Sequence, residues 1–249
     1  MKKINYSLLL IAVSVCLFSC GKDPEPPVVE DHGTISLSDE SISLKFREKR
    51  EIIPTIVGNA NSKDYTWTSD NPVVATVKAV AGGFGEVEAK QVGRTNVTFK
   101  STDGILSASC IVDVNPRQSF LNTVYFVKGV TGPEVRQGNP AGTIDESTTG
   151  TDQWVANVST GGDILRYIYH FDSNQKLSHT IVVLSPDAQN KATEFLEERF
   201  PEISPLAGGV LYYDISGSKY TNAKAGVLVS TSSLAQTYGI QSGVMFTSK

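Results

Sequence analysis

Between Gly33 and Pro116 apolar and polar residues alternate in short runs: TISLSDESISLKF, EIIPTIVG, YTWTSD, VVATVKAV, GEVEAKQVG, TNVTFKST and SASCIVDV. Gly, Asn, Asp and Pro separate them. A period of two with turns about every 8–12 residues predicts strands packed as an all-β, immunoglobulin-like sandwich over residues 33–116. In DYTWTSDNPVVATV, Trp67 shares a face with Tyr65 and Ser69, so large rings point to the facing sheet. Asp70, Asn71 and Pro72 make the corner, since Asx side chains support turns and proline fixes φ.

The pattern changes after Asn115-Pro116-Arg117, and residues 117–249 form a second predicted domain. SFLNTVYFVKGV suits either a buried strand or a short helix. A polar, glycine-rich passage follows from Thr131 to Gln153, with a strand-like island at QWVANVS. Leu165, Tyr167, Tyr169 and Phe171 then alternate on one face, and Leu177, His179, Ile181 and Val183 return as the second strand of a hairpin. A three-residue turn at Ser173-Asn174-Gln175 sets Tyr169 opposite His179, the register in which the apolar faces agree better. A four-residue turn sets His170 opposite His179. Ser185 and Pro186 start a helix with apolar residues at Ala188, Ala192, Phe195 and Leu196, ending near Phe200-Pro201. GVLYYDISGSKYTNAKAGVLVSTSSLAQTYGIQSGVMFTS repeats strand, turn, strand and short helix from Ser233 to Tyr238, then adds a closing strand. The prediction is an α+β domain: an antiparallel sheet, helices on one face, and a weak ββα duplication.

The first nineteen residues carry Lys2 and Lys3, then an apolar run from Leu8 to Phe18, too short to span a bilayer; this is a secretory signal peptide. Leu17-Phe18-Ser19-Cys20 resembles the lipobox of bacterial lipoproteins, although Phe18 is bulkier than that pattern prefers. The resemblance implies cleavage before Cys20, diacylation of it, and membrane attachment as an outer-membrane lipoprotein. Lys22-Asp23 behind the cysteine is faintly similar to the charged signals that send some lipoproteins to the outer face of that membrane, an arrangement that Pro24 interrupts, and the sequence leaves open whether the chain faces periplasm or exterior. Residues 20–32, GKDPEPPVVEDH after the cysteine, read as an extended tether. Loss of Lys2 and Lys3 takes the formal charge from -4 to about -6, which offers no attraction to phosphate backbones, so nucleic acid is excluded as a partner. Cys16 leaves with the signal and Cys20 takes lipid. That leaves Cys110 without a disulfide partner, as a small buried hydrophobe beside Ala108, Val112 and Val114.

Trp67, Ser69, Asn71, Val74, Ala75 and Val77, followed by Gly85, Val87 and Ala89, then Gly93, Val97 and Thr98, and last Cys110, Val112 and Val114, resemble the group 2 bacterial immunoglobulin-like (Big2) pattern. The resemblance covers about a third of the chain. It implies a module found in surface adhesins and, more often, as a spacer beside other extracellular domains, so a spacer is expected and direct adhesion is the alternative; the matched residues serve core and turns rather than a binding site.

The sequence holds three histidines, and His-Glu-x-x-His, Gly-x-Ser-x-Gly, paired-cysteine and phosphate-loop motifs are absent from it. No cofactor, metal or catalytic residue is therefore assigned. If the helix covers the Tyr167 side of the hairpin, the other side shows Ile164, Arg166, Ile168 and His170, with Ser178, Thr180 and Val182 beside them. Arg166, His170 and Thr180, together with the ring of Trp154, are the expected binding residues; Tyr212, Tyr213 and Tyr220 are further candidate rings. The expected function is a lipid-anchored envelope protein whose spacer presents the second domain to a protein or glycan. The alternative is an envelope or surface hydrolase with an unrecognised site in that domain.

Overall fold

The computed structural model describes residues 32–62, 64–138, 143–158, 162–203, 210–216 and 222–249. The segment expected to be a signal peptide, Cys20 and Tyr220 lie outside these residues.

Nine strands come from the first predicted domain: β1 (Thr34–Leu37), β2 (Ser41–Lys45), β3 (Lys49–Ile52), β4 (Pro54–Val57), β5 (Tyr65–Ser69), β6 (Ala75–Ala79), β7 (Gly85–Ala89), β8 (Gly93–Ser101) and β9 (Ser107–Asn115). One sheet has the order β2-β9-β8-β5 and another the order β3-β7-β6, while β1 pairs with β4. The pairs are antiparallel except β2 with β9. Inward positions of both sheets make one core, including Ile42, Ile52, Val87, Val97, Cys110 and Val112. Cys110 is fully buried, as alternation predicts, and burial raises its thiol pKa, which keeps it protonated. The corner after β5 forms as expected: Asn71 Oδ1 accepts from the Val73 amide, and Ser69 Oγ donates to the Ala75 carbonyl.

The second half is an eight-stranded antiparallel sheet. Its strands are β10 (Thr143–Ile144), β11 (Gln153–Asn157), β12 (Ile164–Phe171), β13 (Leu177–Leu184), β14 (Glu202–Ile203), β15 (Leu211–Asp214), β16 (Ala223–Val229) and β17 (Ser242–Ser248). They lie in the order β10-β11-β12-β13-β17-β16-β15-β14. The helices are short: α1 (Gly132–Gly138), α2 (Gln189–Glu197) and α3 (Ser233–Thr237). The expectation of helices on one face is corrected. Val135 of α1 and Ala192, Phe195 and Leu196 of α2 join the core on the Tyr167 side, but Ala235 of α3 packs on the other side with Ile168, Ile181, Val183 and Leu228. Two apolar sheet faces need two covers. The ββα order does recur, yet α2 leads from β13 to the far-edge strand β14, whereas α3 joins the neighbours β16 and β17. SFLNTVYFVKGV is neither strand nor α-helix; it makes a 3-10 turn at Phe120–Thr123 and then runs irregularly, burying Leu121, Val124 and Phe126.

The hairpin register is the second correction. Its turn is the expected three-residue one, with Gln175 at φ 58° and Asp172 Oδ1 accepting from the amides of Asn174 and Lys176. Phe171 pairs with Leu177 accordingly. Beyond them Ser178 is a bulge, its hydroxyl donating to the His170 carbonyl, and the register shifts so that His170, not Tyr169, faces His179. A second bulge at Leu165 shifts it back. Leu165 is therefore 44% exposed instead of lying under the helix, and Ile164 turns to the Tyr167 side.

The two halves meet at a buried carboxylate. Glu198, fully buried at the end of α2, accepts hydrogen bonds from the backbone amides of Arg117 and Gln118 at 2.7 and 3.1 Å and from the Arg199 guanidinium. Its own carbonyl accepts from the amide of Val92 in the sandwich at 2.7 Å. Arg117 donates to the Phe46 carbonyl, and Arg47 pairs with Glu197.

Candidate binding cleft

The four expected binding residues do not converge. Thr180 pairs with Tyr169 across the hairpin, faces the helix side, is fully buried and donates to the Tyr125 carbonyl. The Ser178 bulge is the cause, because it moves every later residue of β13 to the opposite face from the one alternation assigned. Val182 is displaced in the same way, opposite Tyr167. Trp154 pairs with Tyr169 too, on the helix side. Its indole lies between Phe171 and the guanidinium of Arg136, 4.8 Å from the ring centroid, and borders a largely apolar cleft of about 340 Å³. Tyr213 belongs to the core, whereas Tyr212 is half-buried on the other face.

Arg166 and His170 do share the opposite face, half-buried beside Asn157 and Gln153 of β11. The middle of that face is covered by α3, Tyr238 and Ile240. At its β11 end a cleft of about 280 Å³ remains open, lined by Arg166, Gln153, Asn157, Asp145, Tyr238 and neighbouring residues.

The electrostatics of this cleft are unusual for the chain. Arg47, Arg50, Arg94, Arg117, Arg136 and Arg199 each stand against a carboxylate. The Arg166 side chain makes no ion pair or hydrogen bond among the described residues, and its Nε is buried without an acceptor. Asp145 lines the same cleft but is engaged elsewhere, by the amide and hydroxyl of Ser147 and the side-chain amide of Asn157. The Ser147 hydroxyl above all holds the Asp145 carboxyl below its ordinary range, so it is ionised and accepts only. The Gln153 amide has no side-chain partner among the described residues.

Tyr238 is oriented by a relay. The Ser178 hydroxyl spends its proton on the His170 carbonyl, so it accepts from His179 Nδ1 at 2.9 Å. His179 Nε2 is then bare and accepts from the Tyr238 hydroxyl at 2.8 Å. Burial, and secondarily the neighbouring His170, lowers the His179 pKa to about 4, which keeps the ring neutral. The Tyr238 oxygen is left with its lone pairs as an acceptor at the cleft.

The conjunction of Arg166, Gln153 and Tyr238 was hidden from sequence reading. Asp145 and Tyr238 come from segments remote from the hairpin, and only sheet pairing and α3 bring them to Arg166.

Comparison with known proteins bears on the first half. Residues 51–112 match the family described as bacterial Ig-like domain (group 2). An Ig-like virion protein of Serratia phage KSP90 is 35% identical over 82 residues, which cover 32% of this chain and 31% of that protein's length. Domains 4 and 5 of the S-layer protein SbsC share 24% identity over 32% of this chain and 50% of theirs, with a TM-score of 0.29, too low to carry an argument. The matched segment contains Trp67, the Asn71 corner and the Gly85-Val87-Ala89 strand, and those residues form the core and corner described above. Residues 51–112 are thus a bacterial Ig-like domain of group 2.

Proposed function

We propose that this is a surface-located binding protein in which the Ig-like module is a spacer and the eight-stranded domain receives a protein or glycan ligand in the Arg166 cleft. A surface setting is supported by the Ig-like family match and by the virion context of the phage relative. The observation that carries the binding role is Arg166 itself. Its side chain lines the open cleft as a cation without an ion pair among the described residues, so an acceptor on a ligand engages the part of the guanidinium that faces the cleft, while the buried Nε lies out of a ligand's reach and marks the group as incompletely satisfied by the protein. Attachment to the membrane is through lipid on Cys20, on the lipobox-like sequence that precedes it.

The test is binding of the full chain to glycan and surface-protein arrays, compared with Arg166→Ala and Gln153→Ala. The reading requires signals that both substitutions weaken while the melting temperature holds. Signals indifferent to both place the binding site elsewhere.

A further inference from the structure

We infer that the Arg166 cleft takes a sugar unit bearing a carboxylate, of the hexuronate class; the inference rests on the binding role just proposed and adds the chemistry of the ligand. The guanidinium of Arg166 lacks a carboxylate among the described residues, and the fork of an arginine matches a carboxylate with two parallel hydrogen bonds. The rest of the lining is suited to hydroxyls. Gln153 offers an amide with both donor and acceptor capacity. Tyr238 offers lone pairs, because its O–H is committed as a donor to His179 Nε2. Asp145, ionised and acceptor-only, retains lone-pair capacity beyond the bonds from Ser147 and Asn157.

Size and polarity favour a sugar over a peptide terminus. At about 280 Å³ the cleft lies just below the roughly 300–1,000 Å³ typical of drug-sized ligands, so it suits one small unit. Its apolar lining is limited to Val155 and Ile168, which leaves a peptide little to anchor an apolar side chain. The cleft sits at the β10–β11 end of the sheet, where Asp145 follows directly on the edge strand β10. A unit within a longer chain can enter there.

The experiment is a titration of the full chain with glucuronate, galacturonate, glucose, galactose and a short peptide with a free C-terminal carboxylate, followed by calorimetry and by NMR. The expected result is binding of a uronate, with the matching neutral sugar weaker by about tenfold or more, and a similar loss for Arg166→Gln. Gln153→Ala is the second variant, expected to weaken both sugars of a pair alike. Neutral sugars binding as well as uronates, or binding by the peptide alone, overturns the uronate inference; the binding role survives if Arg166→Gln still abolishes the signal. Absence of binding by every probe, with array signals indifferent to Arg166→Gln, overturns both.

Discussion

The indole of Trp67 lies so close over Gly85 of the facing sheet that a methyl group there would stand 2.7 Å from Cε2 and 2.8 Å from Cδ2. Phe99 flanks the same indole at 4.8 Å, and its Nε1 donates to the Gly83 carbonyl. The ring is wedged between strands, so the nearest atoms cannot swing away. Gly85→Ala is expected to cost about 1–3 kcal/mol through overpacking, with fold and strand content retained. Denaturant unfolding checks it, and a second measurement in a Trp67→Leu background should show much of that cost gone. An unchanged cost in the double variant would mean that the indole is not what the methyl meets.

Removing the carboxylate at the junction should be costlier. Glu198→Ala leaves the amides of Arg117 and Gln118 without acceptors and Arg199 without its counter-charge. A loss of roughly 3 kcal/mol or more follows from breaking a buried pair on one side. The melt should divide into two transitions, one for the Ig-like module and one for the sheet domain. Calorimetry reads this directly, and a single unshifted transition would show that the carboxylate does not couple them.

His179 makes stability depend on pH. Its pKa is depressed from 6.5 to about 4, so the unfolded chain takes up a proton at a pH where the folded chain does not. The stabilisation from the neutral ring is complete above about pH 6.5, falls as pH drops through the window from 6.5 to 4, and levels off below it. For a half-buried ring the loss is of order 3 kcal/mol at most, since one unit is about 1.4 kcal/mol. His179→Gln should flatten the profile in that window. Unfolding free energies at steps between pH 7 and pH 4 decide the matter. His170, in ring contact at 4.6 Å, is the neighbour to vary as a control.

Cys20→Ser is expected to release the protein from membranes while the signal peptide's role in export persists. The residues after the cysteine, Gly-Lys-Asp-Pro-Glu-Pro-Pro, provide nothing apolar to replace acyl chains. Fractionation of cells provides the answer, and continued sedimentation of the variant with membranes would exclude the lipid anchor.

The sandwich was legible because its strands are wet on one side. In β2 and β8 buried and exposed residues alternate, so the period of two appears in the sequence and fixes the faces. In β13, Thr180 to Leu184 are buried without a break, Ile181 and Val183 under α3 and Val182 and Leu184 under α2. A strand covered on both sides has no polar face to mark its register. The Ser178 bulge, and with it the placement of Thr180 and His179, was therefore not written in the alternation. Arg166 and His170 were put on one face correctly because they lie on β12 between the two bulges. Their company, Asp145 and Tyr238, depended on contacts distant in sequence.

The carboxylate of Glu198 also determines how the molecule answers a pull. Tension applied between the sheet domain and the sandwich crosses the joint where the Arg117 and Gln118 amides are tied to one side chain. Those bonds are loaded together rather than in sequence, and none can part gradually without stranding a charge in the interior. The joint is therefore expected to resist bending and to yield in one step, which single-molecule pulling reads as one rupture event lost in Glu198→Ala.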